Sequence, residues 1–402
     1  MIILRLALLS LWNRRGTVLL TVLGIAVSVA LLLGVNTVRN DLRTGFANTI
    51  SDADLIVGAR SGPVNLLLYS VFHLGDATAD VSWQTYSKVA AHPQVAWTIP
   101  LALGDSHRDF RVLGTTGDYF AHYKYGQQRS LAFASGRGFN GAAETVLGAE
   151  VARALGYQLG QSLVLSHGLG EGDITRHEGQ PVVVVGILRR TGTPVDRTVH
   201  VTLQAIEAMH AGPGASLEPE SITAFVVGLR DRVAAFQIQR DINAWRGEAL
   251  LAIMPGVTLQ QLWQVVGLVE IALYVVAGFV VFAGLLGLLT ALLTSLNERR
   301  REMAILRSVG ARPAHIAVLL MSEAGLTGFA GVLVGIGLLH GGLWFAAPLL
   351  EQRFGIALAG EGVGTVELAL AVAVVLASVL IGAVPAWRAY RNTLADGLTL
   401  RV

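Results

Sequence analysis

Ten histidines are spread over the 402-residue chain, and eight of them fall between positions 73 and 210: His73, His92, His107, His122, His167, His177, His200 and His210. Imidazole and carboxylate together are the usual ligands of divalent metals. One segment, HGLGEGDITRHEG, gathers His167, Glu171, Asp173, His177 and Glu178, a nitrogen and oxygen set able to hold such an ion. The spacings match no metal-ligand motif, and a solvated polar loop accounts for the same residues, so no metal site is expected. Glu323 and His340 interrupt apolar runs; ionisable groups in such runs are functional candidates by default. Glu323 lies early in its run, where pairing with an arginine is expected rather than a proton relay. Gly331 and Gly335, four apart, would let helices approach closely.

Other chemistry is absent. There is no G-x-x-x-x-G-K-[ST] phosphate loop, no H-E-x-x-H and no G-x-S-x-G. The glycines of GLGEGD lack the strand-to-helix setting and full spacing of a dinucleotide loop. With no cysteine, disulfides, thiolate ligands and thiol catalysis are excluded. The chain is expected to be no enzyme and to carry no cofactor of its own.

What remains is a basic knot, NERRREMAILRSVGARPAHIAVLL, set between two apolar runs. Helical spacing in EMAILRSVG puts Ile305, Leu306 and Val309 together on one side. Gly310 suits a helix end, and Pro313 suits the first turn of the next helix. The segment reads either as a short helix offering an apolar and basic face, or as a lipid-facing turn with snorkelling arginines.

The elements around it follow from composition. The chain is 53% hydrophobic and 14% charged, against about 25% charged for an ordinary soluble domain. A net charge of +2 is nearly balanced and suggests no nucleic-acid partner. Four apolar stretches, 16–39, 263–296, 316–350 and 366–387, are long enough to cross a bilayer, which takes about 20 residues. The first is too long for a signal-peptide core and has no clear cleavage site after it, so an uncleaved helix is expected. Residues 1–15 read as an interfacial helix.

Basic residues orient the spans. Arg5, Arg14 and Arg15 precede the first, Arg299, Arg300, Arg301, Arg307 and Arg312 separate the second and third, and Arg388, Arg391 and Arg401 follow the fourth. The short loop 351–365 holds Glu351, Glu361 and a single arginine, Arg353. Both termini and the 297–315 loop are therefore expected in the cytoplasm, with the tail at 388–402, and residues 40–262 outside. That outer segment reads as mixed α+β, two βα-type ends around a β-rich middle that includes TVHVTLQAIEAMH. The first and second spans, without proline at their outer ends, are expected to continue as helical stalks.

The segment RRREMAILRSVGARPAHIAVLLMSEAGLTGFAGVLVGIG resembles the signature of the FtsX/MacB/LolC-type (type VII) ABC transporter permeases. DADLIVGAR, VLGAEVARALGYQLGQSLVLS and VVVVGILRRTGTPVDRTVHVTL resemble that family's periplasmic domain, and VPAWRAYRNTLADGLTLR its exit. One span before a large outer domain and three after it is the family's arrangement. The resemblance implies that Arg301, Glu302, Met303, Ile305, Leu306, Arg307, Val309, Gly310 and Ala311 match a coupling helix docking on a separate cytoplasmic ABC ATPase, which would hold the ATP and Mg. It implies porter-like and sabre-like outer subdomains, an inner-membrane location among lipids, and a second permease chain, a homodimer being favoured. Mechanotransmission of ATP-driven motion for export or extraction of a substrate is the leading expectation. An FtsX-like scaffold activating a periplasmic hydrolase and a system tied to metal handling stand beside it. A periplasmic adaptor, a lipoprotein or a hydrolase is the expected outer partner; an adaptor would favour efflux, a peptidoglycan hydrolase regulation, and a His-rich secreted protein metal handling.

Overall fold

The computed structural model describes residues 2–49, 51–167, 181–210, 217–354, 362 and 364–391. The chain divides into two compact units: a helical one, reaching to Asp41 and resuming at Gly267, and an α+β one from Leu42 to Val266.

In the helical unit α1 (Ile2–Asn13) is separate from α2 (Arg15–Thr49). α9 (Pro255–Glu298), α10 (Arg300–Ser308), α11 (Pro313–Phe354) and α12 (Thr365–Arg391) follow the outer unit. Among the described residues, four helices are long and apolar enough to cross a membrane, at Arg15–Thr49, Pro255–Leu296, Pro313–Ala347 and Thr365–Ala389. Pro255 and Pro313 each open a helix, where the missing amide costs nothing. α2 runs 35 residues and α9 runs 44, roughly 52 and 66 Å at 1.5 Å per residue. Both exceed the roughly 30 Å of hydrocarbon in a bilayer. α9 begins eight residues before the expected span, because the chain enters it directly from a strand.

Ile25, Val29 and Leu33 of α2, Leu288 and Leu292 of α9, Ala324 and Val332 of α11, and Ala371 and Val374 of α12 form the bundle core. A Cβ on Gly331 would stand 2.6 Å from Ile25, and one on Gly335 would stand 2.8 Å from the Ala26 carbonyl. The four-residue glycine spacing thus serves close packing of α11 on α2.

The outer unit begins with β1 (Leu55–Ala59), α3 (Pro63–Phe72), β2 (Val81–Ser82) and α4 (Trp83–Ala90). β3 (Val95–His107), β4 (Phe110–Thr115), α5 (Asp118–His122), β5 (Lys124–Tyr125), β6 (Arg129–Ser130) and β7 (Phe133–Gly136) come next. Then come β8 (Glu144–Leu147), α6 (Ala149–Leu155), β9 (Ser162–Leu163), β10 (Ser166–His167) and β11 (Val182–Leu188). β12 (Thr198–Thr202), α7 (Leu203–His210), β13 (Ser221–Ile222), β14 (Ala224–Leu229), α8 (Ala235–Asn243) and β15 (Leu250–Ile253) complete it.

One mixed sheet in the order β15-β1-β14-β3-β4-β12-β8-β11-β7 carries this domain. β4 with β12 and β8 with β11 are parallel, the other neighbours along this path antiparallel. The expected strand and helix alternation at both ends is present. Two helices differ from expectation. PVNLLLYSVF forms α3, whose near-continuous burial erases a polar face. The stretch after Val201, expected with the β-rich middle, is α7: the Thr202 hydroxyl accepts from the Ala205 amide at 3.1 Å, and Ala205, Ile206 and Met209 bury at helical spacing.

The outer end of α2 is tied to this domain. The Asn48 carbonyl accepts from the Gly126 amide at 2.7 Å, the Tyr123 hydroxyl donates to the Thr49 carbonyl, and Lys124 pairs with Asp52 at 2.6 Å. The first two contacts satisfy carbonyls that a helix end leaves open. Phe46 of α2 packs against Phe72, 4.3 Å between centroids with the rings tilted by 36°, and meets Trp263 of α9 at 5.7 Å. The Arg43 guanidinium lies 5.3 Å from the same indole.

Candidate functional site

The basic knot folds as α10, a nine-residue helix between α9 and α11. Gly310, with φ of 102°, takes a conformation that side chains with a Cβ disfavour. The Ala311 amide then donates to the Leu306 carbonyl at 3.0 Å, and the Gly310 amide to the Arg307 carbonyl at 3.1 Å. This paired closure is a Schellman motif. It stops α10 and turns the chain toward Pro313.

The expected apolar trio is not one face. Leu306 packs inward with Met303 against Ala7, Leu296, Ile316, Leu319, Leu320 and Ala386, drawn from α1, α9, α11 and α12. Met303 and Ala304 are buried, whereas Ile305 is 51% and Val309 83% exposed. The correction follows from the 3.6-residue period: 303 and 306 share a stripe, and 302, 305 and 309 share the other. Only tertiary contact decides which stripe turns inward. Glu302, Ser308 and Gly310 are exposed, Arg307 and Ala311 half-buried. Arg301 belongs to the helix's first turn. The outward surface is therefore Glu302, Ile305, Ser308 and Val309.

A buried ion pair anchors this helix. Arg299 Nη1 lies 2.9 Å from Glu323 Oε1 and 2.5 Å from the Ser10 hydroxyl, while its Nε lies 2.7 Å from Glu302 Oε2. Glu323 is 2% exposed. Its expected arginine partner is present, joining α11 to the start of α10 and to α1. Arg14, in the turn before α2, pairs with Glu298 at the end of α9 at 2.9 Å.

Polar contacts toward the other ends of these helices escaped the sequence reading. Glu367 Oε1 accepts from Asn36 Nδ2 at 3.1 Å and from the Thr37 hydroxyl at 3.0 Å. Tyr274 donates to Asn36 Oδ1 at 3.0 Å, and Arg39 pairs with Glu270 at 2.8 Å. The signal was available: Arg39 and Glu270 sit at the same expected depth on neighbouring spans. His340 is exposed, its Nδ1 3.0 Å from the Ile336 carbonyl. Glu171, Asp173, His177 and Glu178 of the candidate metal loop lie outside the described residues. Among the described residues no group of three or more His, Asp or Glu is placed to hold a metal ion.

Four helices long and apolar enough to cross a membrane, among the described residues, together with a large α+β domain, define the class as a multi-pass membrane protein. The MacB-like periplasmic core domain matches residues 18–245, and the FtsX-like permease C-terminal domain matches residues 274–394, α10 included. The chain belongs to the FtsX/MacB family of ABC-transporter permeases. It is 24% identical to the macrolide export ATP-binding/permease protein MacB of Salmonella choleraesuis, over 98% of this chain and 60% of that protein. The MacB of Salmonella typhimurium matches with the same identity and coverage. The chain thus spans about 60% of the length of these curated relatives. The crystal structure of the periplasmic region of MacB from Actinobacillus actinomycetemcomitans aligns with a TM-score of 0.36 at 11% identity, covering 53% of this chain and 94% of that one.

Proposed function

We propose that this chain is the membrane subunit of an ABC transporter whose outer domain is moved by ATP hydrolysis on a separate cytoplasmic ATPase, for export or extraction of a substrate. The observation that carries the reading is the pair of unbroken helices α2 and α9, each longer than the bilayer core is thick. A continuous hydrogen-bonded helix transmits displacement along its axis, and capping of α2 by Tyr123 and Gly126 couples that displacement to the sheet. In this reading α10 docks on the ATPase through Ile305 and Val309, and its anchoring by Arg299 and Glu323 passes force into α11.

Arginine placement supports cytoplasmic termini, residues 297–315 inside and residues 40–262 in the periplasm. The division into porter-like and sabre-like outer subdomains rests on the family resemblance; the core itself runs as four hydrophobic clusters along one mixed sheet. The working unit is a dimer of permease chains, a homodimer in the simplest case.

The chain contains no cysteine, so single thiols test the orientation. Asp109→Cys and Ser308→Cys both replace exposed side chains. An impermeant maleimide is expected to label position 109 in intact spheroplasts and position 308 only after lysis. The reverse pattern would invert the topology and remove α10 from reach of a cytoplasmic ATPase.

A further inference from the structure

Where the turn between α1 and α2 meets α9 and α11, the helical unit holds a cavity of about 40 Å³. That is room for about three water-sized groups. Arg14 stands at its rim, Glu323 and Ser295 in its wall, and Leu11, Val18 and Leu288 beside them.

Most polar groups here are already served. The Thr21 hydroxyl donates to the Thr17 carbonyl at 2.9 Å, and the Thr327 hydroxyl to the Glu323 carbonyl at 2.8 Å. Two atoms are not. Glu323 is 2% exposed, and its carboxylate meets protein only through Oε1, at Arg299. Ser295 is 8% exposed, yet Arg14 and the Arg299 amide both meet its carbonyl rather than its hydroxyl. Ser28 and Ser378, also within helices, donate to carbonyls four residues back; Ser295 does not. Neither Glu323 Oε2 nor the Ser295 hydroxyl is sealed in by protein, so both open onto the cavity. Polar groups on residues this buried are nearly always partnered.

The charge of the missing partner follows from the ion pairs. Two arginines, Arg14 and Arg299, face three carboxylates, Glu298, Glu302 and Glu323. Glu323 has to share Arg299 with Glu302, and it is the carboxylate withdrawn from water.

We propose that this cavity receives the ethanolamine head of a phospholipid. Its ammonium donates to Glu323 Oε2 and the Ser295 hydroxyl oxygen, and its phosphate rests on Arg14. Nη2 of Arg14 serves Glu298, which leaves Nε and Nη1 for phosphate oxygens. An ammonium on a two-carbon arm fills the cavity, whereas the bulkier trimethylammonium of a choline head does not fit. A hydrated metal ion would gain nothing from the leucine and valine wall, which suits acyl carbon. Lipid has access, because Leu8, Leu9 and Trp12 of α1 and Leu19 and Leu20 of α2 are exposed apolar surface that a bilayer covers. The site rests on these helices meeting a bilayer and not on an ATPase at α10, so either reading can fail without the other.

The test is native mass spectrometry of the full chain in detergent, offered ethanolamine, choline and glycerol phospholipids of the same acyl chains in equal amounts. One ethanolamine lipid is expected to be retained at least ~10-fold over either competitor, as a charge-assisted hydrogen bond would favour it. Ser295→Leu fills the cavity and should cut that retention at least ~10-fold, with a thermal midpoint no lower than that of the wild type. Glu323→Gln removes the charge and should erase the advantage over the choline lipid; if its midpoint falls, Ser295→Leu carries the test alone. Equal retention of ethanolamine and choline lipids, a preference for the glycerol lipid, or an unaffected Ser295→Leu variant would refute the site. Displacement of the lipid by an equimolar amount of free phosphoethanolamine would overturn the membrane as the source of the ligand.

Discussion

The outward stripe of α10 is where the coupling proposal meets a number. Val309 is 83% and Ile305 51% exposed. Fully burying a side chain of this kind contributes about 1.5–3 kcal/mol. Scaled by those exposures, covering both with a partner stabilises the complex by roughly 2–4 kcal/mol. The double variant Ile305→Asp with Val309→Asp loses that contribution and places carboxylates in a desolvated contact. At ~1.4 kcal/mol per tenfold, affinity for the ATPase falls about 30- to 700-fold. The fold should survive, because neither side chain belongs to the cluster beneath the helix. Leu306→Asp is the contrasting variant. Its carboxylate would enter that cluster, so it lowers the stability of the helical unit and fails to isolate docking. The assay is co-purification of the ATPase from the native host, with stimulated turnover, and a thermal melt of each variant. An Ile305/Val309 double variant that melts like wild type and retains the ATPase fully would refute docking through this stripe.

Three further outcomes are expected. Glu323→Ala leaves Arg299 with only the exposed Glu302 and the Ser10 hydroxyl and should destabilise the helical unit by up to about 3 kcal/mol, whereas the double variant with Arg299→Leu should recover much of that loss in detergent melts. Burial first, then the neighbouring His73, holds the His200 pKa down at about 3 against 6.5 unfolded. The unfolded chain therefore binds the extra proton, and stability is full above pH ~6.5 and lost below it at about 1.4 kcal/mol per pH unit down to pH ~3. Burial also holds His73 down at about 4 and lowers His107, so His200→Asn should reduce that slope without abolishing it in melts of the intact chain between pH 7 and 5, and an unchanged slope would contradict the assignment. Leu42→Pro removes an amide and clashes inside α2, costing about 3 kcal/mol locally. It should abolish transport while leaving ATPase co-purification intact, and normal transport would argue against transmission through α2.

Much of this molecule was legible in the residues alone. An unbroken apolar run has one solution in a bilayer, a helix whose backbone groups bond internally, so the four spans and their continuation past the hydrocarbon followed from length and the absence of proline. Gly310 and Pro313 marked the end of α10 and the start of α11 because their backbone preferences are local properties. The strands of the outer domain were legible for the same reason, as alternation in PVVVVGIL is written into neighbouring residues.

What waited for the tertiary structure was every choice between two surfaces of one element. Ile305, Leu306 and Val309 are all apolar, and nothing local distinguishes them. Leu306 turns inward because Ala7, Leu296 and Ala386, hundreds of positions apart, meet beneath it. The partner of Glu323 could be foreseen as an arginine but not as Arg299, since the chain offers several at that depth. α3 was missed because an element buried on nearly all sides shows no periodicity.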